Sequence, residues 1–195
     1  MVVLADEEAA GNLPGERNRW LASFLQQQRL ATLWCGLNSS QSPAQRGPAS
    51  DIERQLAQHI AHQGQRLAGV LDWVAGRDDL AGLGLGLLGS GSGAAVVLRM
   101  AAARPGQVRA LVTWGGRPDL ASDCLPRVFA PTLLIVGDGD IQALAVSRQV
   151  LQRLACRRRL EVVPGARPPD EEPGALATVA ALAAAWFKTC VVDAR

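Results

Sequence analysis

Short apolar runs alternate with amphipathic helical patterns along the whole chain of 195 residues. Such alternation is typical of βαβ units, which build a parallel sheet covered by helices. The pattern predicts one doubly wound α/β domain over residues 1–195, with a mostly parallel sheet of about six strands and helices on both faces. The predicted strands are Val2–Ala5, Ala31–Leu37, Leu83–Leu88, Val108–Trp114, Thr132–Val136 and Leu160–Val163.

Helical periodicity fills the segments between the predicted strands. Ser50 and Glu53 have the spacing of a capping box and open a long amphipathic helix. Residues Ala94–Ala103 are apolar on every side except at Arg99, which predicts a helix buried in the middle of the fold. The remaining helices are predicted around Trp20–Leu25, over Gln142–Leu154 and over Pro173–Lys188, and residues 38–50 are predicted to be a flexible loop rich in Ser, Pro and Gly.

The charge pattern argues against nucleic-acid binding. The net charge is only +2, and the one dense basic cluster is Arg157–Arg159. That run lies at the predicted end of a helix, where cations complement the free carbonyl groups. Arginine rather than lysine carries the positive charge, since Lys188 is the only lysine. Genome base composition produces this kind of bias, and the composition is bacterial-like.

The sequence also lacks the signals of a secreted, membrane or metal-binding protein. The four cysteines fall singly, without the paired spacing of a zinc site or a disulfide framework, which predicts reduced thiols in the cytoplasm. No basic segment precedes the short apolar run at the start, and no apolar stretch is long enough to cross a membrane. His59 and His62 could share a helix face, but no third ligand accompanies them. We expect a cytoplasmic protein without cofactor, metal or membrane association.

A glycine-rich segment, Gly82–Gly93, joins a predicted strand to the buried helix. Its Gly84-x-Gly86-x-x-Gly89 spacing matches a dinucleotide fingerprint, but two of these glycines fall inside the predicted strand and Arg109 occupies the acidic position. A P-loop is excluded because no lysine follows the glycines. The strand, the sharp Gly/Ser turn and the buried helix are typical of the nucleophile elbow of α/β-hydrolases.

The sequence resembles the small, lidless, dienelactone-hydrolase-like α/β-hydrolases. The resemblance extends over nearly the whole chain and is carried by LGLLGSGSGAA, VTWGGRPDLA, APTLLIVGDGD and VPGARPPDEEPGAL, in the order that the family has them. It implies an α/β-hydrolase core that is reduced at its N-terminal side and has no cap domain. It also implies an active site at the carboxyl ends of the strands.

The resemblance places a catalytic triad at three positions of this chain. The elbow Gly89-Ser90-Gly91-Ser92-Gly93 has Gly91 at the nucleophile position, where no side chain is present. Asp140 stands at the acid position. Pro168 stands at the histidine position and cannot act as a base. We therefore expect a degenerate triad and assign no catalytic residue.

An alternative register would make Ser92 the nucleophile, with Asp140 as the acid. No histidine follows His62, however, so the chain order Ser–Asp–His cannot be built. Asp6–Glu8 occupy the segment where the family has an oxyanion-hole donor, and carboxylates there would oppose a developing negative charge.

A binding function remains open at the same edge of the sheet. Ser90 and Ser92 add hydroxyls to a helix N-terminus, Arg117 adds a positive charge, and Trp114 lies at a strand end beside the expected pocket. The alternative for these residues is an inherited tight turn, a local Arg117–Asp119 ion pair and core packing of Trp114, as for the other four tryptophans. The sequence thus predicts a pseudoenzyme that binds a protein partner, a second copy or a small anionic ligand, with a weak esterase or thioesterase using Ser92 and Asp140 as the alternative.

Overall fold

A computed structural model of the chain describes residues 1–6, 9–10, 13–38, 49–165 and 174–192. Its main element is a six-stranded sheet made of β1 (Val2–Asp6), β2 (Thr32–Gly36), β3 (Leu85–Ser90), β4 (Val108–Trp114), β5 (Thr132–Gly137) and β6 (Arg158–Val163). The strand order is β2-β1-β3-β4-β5-β6, and every pair of neighbours is parallel. The predicted parallel α/β sheet is thereby confirmed.

Helices cover both faces of this sheet. They are α1 (Glu16–Gln27), α2 (Ala49–Ala75), α3 (Gly93–Ala103), α4 (Ile141–Arg153) and α5 (Ala175–Phe187), the last continued by a π-helical turn at Lys188–Val192. Short 3-10 turns lie at Asp78–Leu80, Pro118–Ala121 and Leu125–Arg127, and a two-stranded antiparallel pair joins Ala9–Ala10 to Leu13–Pro14. Among the described residues, no helix is both long and apolar enough to span a membrane.

The alternation of side chains along each strand divides the core into two clusters. In β1, Val2 and Leu4 face α1 and α5, whereas Val3 and Ala5 face α2, α3 and α4. Successive side chains of a strand point to opposite faces, so β1 must be apolar at each of these positions to be buried on both sides. All four are at most 1% exposed.

The buried third helix is confirmed, and the packing shows why it is apolar all round. Ala94–Leu98 are fully buried, because α3 packs on β3 and β4 while α2 and the turn at Pro118–Ala121 cover its outer side. Arg99 leaves this core and donates hydrogen bonds to the Leu120 carbonyl and to Asp123.

The predicted boundaries of β3 were wrong by two residues. Leu83 is 44% exposed, Gly84 precedes the strand, and Gly89 and Ser90 belong to it. Gly86 lies inside the strand, and this position needs a glycine because α5 packs tightly over it: a β-carbon there would lie 2.6 Å from the Phe187 ring. The strand therefore carries the elbow residues directly to the edge of the sheet.

The basic cluster lies in a different element than predicted, but one of its members has the predicted role. Arg158 and Arg159 begin β6, opposite Thr132 and Leu133, and α4 already ends at Arg153. Arg158 nevertheless donates a hydrogen bond to the carbonyl oxygen of Leu154, the C-cap residue of α4. The core packing predicted for two of the tryptophans was wrong. Trp20 and Trp73 are 41% and 53% exposed and are not core residues.

Several predicted features lie wholly or partly outside the described residues. Helix α2 begins at Ala49, one residue before the predicted cap Ser50, and the side chains of the predicted capping box are not described. Residues 39–48 of the predicted loop, Glu7, Glu8 and Pro168 also lie outside the described residues.

Candidate functional site

The strand order reverses between β1 and β3, and this point locates the site. After β1 the chain builds β2 on one side, then crosses to place β3 on the other side of β1. In doubly wound sheets, the crevice at the carboxyl ends of the strands next to such a reversal is where ligands bind. Asp6 ends β1 and Ser90 ends β3, so these two side chains flank the crevice.

The turn from β3 to α3 has the geometry of a nucleophile elbow. Ser90 is the last residue of the strand, Gly91 has a φ of +58°, Ser92 is already in the helical region, and α3 begins at Gly93. A positive φ is strained for residues with a β-carbon, and the nucleophile of α/β-hydrolases sits on such a strained turn. In this chain the residue at the tip is glycine.

Close backbone contacts fix the frame of the elbow. A β-carbon at Gly89 would lie 2.3 Å from the Gly93 carbonyl oxygen, and one at Gly93 would lie 2.4 Å from the Ala5 carbonyl oxygen. Neither position tolerates a side chain without a backbone shift. Gly91 stands midway between these two glycines, at the position where the family resemblance places the nucleophile.

The turn after β4 packs directly against the elbow. The Arg117 amide donates a hydrogen bond to the Gly91 carbonyl oxygen at 3.1 Å. A β-carbon at Gly116 would lie 2.1 Å from that same oxygen, so glycine is required there as well. The Gly91 carbonyl is therefore held by its neighbour and does not point freely into the crevice.

A buried ionic cluster occupies the crevice between β1 and β3. The Oδ2 atom of Asp6 accepts hydrogen bonds from Ser90 Oγ at 2.8 Å, from Arg17 at 3.1 Å and from Asn18 at 3.1 Å. Asp6 and Ser90 are 7% and 4% exposed. The carboxylate that the sequence placed near an oxyanion hole is thus neutralised by Arg17, and the Ser90 hydroxyl is bound within the chain.

Trp114 fills the carboxyl end of the sheet on the same face. It is 1% exposed, and the Arg17 guanidinium lies 4.9 Å from the centre of its ring, a cation–π distance. Within the described part of the chain, its Nε1 atom has no hydrogen-bond partner. The ring therefore packs as a core residue and takes up space beside Ser90 at the crevice.

A polar chain links Ser92 to helix α2 and was not predicted from the sequence. Ser92 Oγ donates to Gln63 Oε1 at 2.7 Å, and Gln63 Nε2 lies 2.8 Å from His59 Nε2 and 3.3 Å from Asn38 Oδ1. Gln63 is fully buried. The signal was present, because Gln63 falls between Ile60 and Leu67 at the spacing of the buried stripe of α2.

The predicted acid, Asp140, caps a helix. It is the N-cap residue of α4, and its Oδ1 atom accepts a hydrogen bond from the Ala143 amide at 2.9 Å. The neighbouring Asp138 accepts one from the Gly165 amide at 3.1 Å. Both carboxylates thus have structural partners at the end of β5.

Arg117 is engaged by an adjacent carboxylate. Its Nε and Nη2 atoms donate to Asp119 at 2.9 and 2.7 Å, and this hydrogen bonding raises the pKa of the Arg117 guanidinium. A cavity of about 410 Å³ opens beside this pair, with Leu56, Ile60 and Leu120 among its lining residues. The cavity is mainly apolar, and both arginines at its rim, Arg99 and Arg117, already carry a carboxylate partner.

Known structures share this architecture over nearly the whole chain. A dienelactone hydrolase from Anabaena variabilis is 39% identical, with a TM-score of 0.84 over 97% of this chain and 86% of that one. A cold-adapted esterase from an Arctic intertidal metagenomic library, with a TM-score of 0.69 at 14% identity over 97% and 82% of the two chains, shares the fold. Mouse alpha/beta hydrolase domain-containing protein 10 also shares the fold, with a TM-score of 0.66 at 14% identity over 96% of this chain and 89% of that one.

Curated sequences add a second kind of relative. Two Mycobacterium tuberculosis proteins, each named "putative phosphoribosyl transferase", are 40% identical to this chain over 171 residues. The match covers 88% of this chain but only 37% of theirs. No family model matches the chain. The elbow, the parallel sheet and the likeness to the Anabaena protein together show that the chain belongs to the dienelactone-hydrolase-like α/β-hydrolases.

Proposed function

We propose that this chain is a non-catalytic member of its family that acts by binding a protein partner. The observation that carries the proposal is Gly91 at the tip of the elbow, with its φ of +58° and the close-packed glycines on either side. The turn retains the shape that presents a nucleophile, but the residue at its tip has no side chain to present.

The surroundings of Ser92 support the same conclusion. A serine nucleophile needs a general base that accepts its proton, and the amide of Gln63 is not basic. The chain has two histidines, and one of them, His59, contacts the Gln63 amide that accepts a hydrogen bond from the Ser92 hydroxyl. Asp140, the acid of the alternative Ser92 mechanism, is committed to capping α4.

The contacts favour a protein over a small anion as the bound species. An anion near Ser90 would face the Asp6 carboxylate, and one near Arg117 would compete with Asp119. In the mycobacterial relatives a matching segment forms part of a much longer polypeptide named as a phosphoribosyl transferase. We therefore propose a polypeptide of that kind as the partner.

Ester hydrolysis tests the absence of catalysis. Short-chain p-nitrophenyl esters are assayed with the wild type, with Ser92→Ala and with Gly91→Ser/Pro168→His, after circular dichroism has shown that each variant is folded. We expect the wild type at the buffer rate and a measurable gain in the double variant. Wild-type turnover that is lost in Ser92→Ala would instead establish the esterase or thioesterase alternative. Ester hydrolysis that persists in Ser92→Ala would also overturn the proposal, provided that the activity co-elutes with the protein on size exclusion.

Two binding measurements test the choice of partner. The chain is titrated with the part of the mycobacterial protein that lies outside the match, and complex formation is followed by light scattering after size exclusion. A thermal-shift titration with inorganic phosphate and with acetate runs in parallel. We expect a complex in the first and no shift in the second. No complex with the polypeptide, together with a thermal shift by phosphate or acetate, would favour an anion site.

A further inference from the structure

The positive charge of the chain is concentrated at the amino end of β6. Residues 153–161 contain four arginines and one glutamate, so their formal charge of +3 exceeds the +2 of the whole chain. Arg153 ends α4, and the run Arg157–Arg159 leads into β6. All four residues are exposed, and we refer to them as the arginine cluster. The rest of the chain therefore carries a slight excess of negative charge.

Little negative charge lies near the arginine cluster. The elements that pack most closely on β6 are β5, α4 and α5, and none of them has an acidic residue. In the described part of the chain, Arg159 forms an ion pair with Glu161, and no carboxylate pairs with the other three arginines. The cluster therefore presents uncompensated positive charge, which attracts an acidic partner.

Arg157 is held in place for such a contact. Its guanidinium lies 5.2 Å from the centre of the Trp186 ring, and the Nε1 atom of that ring donates a hydrogen bond to the Pro131 carbonyl oxygen at 3.4 Å. A cavity of about 130 Å³ opens beside this pair, with Arg159 among its lining residues. A stacked guanidinium loses less conformational freedom on binding, and its planar fork matches the geometry of a carboxylate.

The same end of the sheet also presents an aromatic side chain and strand backbone. Phe129 is 66% exposed and lies three residues before Thr132, which opposes Arg158 at the amino ends of β5 and β6. Arginine and aromatic residues are enriched at protein–protein interfaces. Among the described elements β6 pairs only with β5, so its outer side offers backbone groups to an extended chain.

We propose that the arginine cluster and the outer edge of β6 form a docking surface for an acidic polypeptide segment in extended conformation. Carboxylates of that segment pair with the guanidinium groups, whereas a second copy of this edge would bring like charges together. A nucleic-acid backbone fits less well, because the basic surface stops at β6 and does not continue as a stripe over β5 or α5.

The docking surface and the elbow lie at opposite ends of the sheet. All strands are parallel, the arginine cluster is at the amino end of β6, and the elbow is at the carboxyl end of β3. The inference rests on the proposed function only in taking the partner to be a polypeptide. It does not depend on whether the elbow is catalytic.

Two arginines in matched surroundings provide a test variant and its control. Arg157 and Arg77 each lie 5.2 Å from the centre of a tryptophan ring, that of Trp186 and of Trp73. Arg77 follows α2 and precedes β3, three strands away from β6. Arg157→Glu and Arg77→Glu therefore change the net charge equally and each remove one cation–π contact, but only the first alters the arginine cluster. Circular dichroism and thermal unfolding show that both variants are folded.

Fluorescence anisotropy measures binding of a labelled peptide of alternating Glu and Gly, with the Gln–Gly peptide and a single-stranded oligothymidine as comparisons. We expect the wild type and Arg77→Glu to bind the acidic peptide, with an affinity that falls as salt is added. Arg157→Glu should raise the dissociation constant by about tenfold, because a repulsive charge replaces an attractive one. Equal affinities of Arg157→Glu and the wild type would overturn the proposal, and so would tighter binding of the oligothymidine. A wild type that does not bind the acidic peptide would show that the arginines only protect the sheet edge, which also overturns it.

Hydrogen exchange locates the bound peptide on the wild type. Backbone amides of Arg158–Val163 should exchange more slowly when the acidic peptide is added, while those of Thr32–Gly36 should not change. Binding without protection at β6 would place the peptide elsewhere and overturn the assignment.

Titration with the mycobacterial polypeptide separates this inference from the proposed function. A complex that is as tight with Arg157→Glu as with the wild type would overturn the docking surface and leave the proposed function intact. The absence of any complex with the wild type would count against the proposed partner, and the docking surface would then stand or fall with the acidic peptide.

Discussion

The Ser90 hydroxyl donates a hydrogen bond of 2.8 Å to the Asp6 carboxylate, joining two residues that lie 84 positions apart in the sequence. The bond ties the end of β3 to the end of β1 at the point where the strand order reverses. Arg17 supplies the compensating positive charge from α1. An internal ionic contact thereby joins the two strand ends that flank the crevice.

Removal of Asp6 should destabilise the protein strongly. Asp6→Ala removes the carboxylate that accepts hydrogen bonds from Arg17, Asn18 and Ser90, and the Arg17 side chain in this cluster is only 17% exposed. Loss of one member of a buried ion pair costs about 3–5 kcal/mol. Ser90→Ala removes a single hydrogen bond to the same carboxylate and should cost about 1–2 kcal/mol. Urea unfolding of both variants and of the double variant measures the two costs and their coupling, and additive effects would show that the Ser90–Asp6 bond contributes nothing.

Alanine at Gly89 should disrupt the elbow, while alanine at Gly64 should not. The added methyl group at Gly89 would lie 2.3 Å from a backbone oxygen, so the turn itself must move, at a cost of about 2–3 kcal/mol. Gly64 lies in α2 with open space around it, where alanine should stabilise the helix by about 0.5–1 kcal/mol. Thermal unfolding of the two variants compares them, and equal melting temperatures would contradict the proposed packing of the elbow.

Much of the fold could be predicted because it rests on local periodicity. Strand β4 was predicted with its observed ends, Val108–Trp114, because an apolar run with turns on both sides fixes its length. The buried α3 was predicted from its lack of a polar face. The ends of β3 were predicted two residues too early, since the apolar Leu83 lies outside the strand, and Gly89 and Ser90, which read as part of the turn, pair with β4.

The candidate site could be predicted only in part from the sequence. The position of Gly91 followed from the spacing of the flanking glycines, which the local backbone enforces. The bonds of Ser90 to Asp6 and of Ser92 to Gln63 join residues 84 and 29 positions apart, and no local pattern encodes which polar groups meet. The sequence placed the Asp6 carboxylate at the site, but for the same reason it could not show that Arg17 reaches this carboxylate from another element.

Truncation of Trp114 should be costly, whereas its replacement by phenylalanine should be mild. Trp114→Ala removes a fully buried ring and should cost about 3–5 kcal/mol. Trp114→Phe keeps most of the apolar contact, and no described group bonds to the Nε1 atom that it removes, so less than half of that cost is expected. Chemical unfolding of both variants distinguishes the two effects. A phenylalanine variant as unstable as the alanine variant would mean that the indole nitrogen has an important partner.

The ion pair between Asp72 and Arg104, which joins α2 to the end of α3, should make stability depend on pH in the acid range. Arg104 donates to both Asp72 oxygens, at 2.5 and 3.1 Å, and this hydrogen bonding lowers the pKa of the carboxyl group. A lowered pKa in the folded state means that the stabilisation is complete above the unfolded value of about 3.9 and is lost as the pH falls through the folded value. The melting temperature of Asp72→Asn should therefore fall below that of the wild type at pH 7, and the difference should shrink towards zero as the pH falls below the lowered pKa of Asp72 in the folded state. Asp78→Asn is the control, since Asp78 forms no ion pair within the described residues, and a difference for Asp72→Asn that stays constant with pH would exclude the pair as its cause.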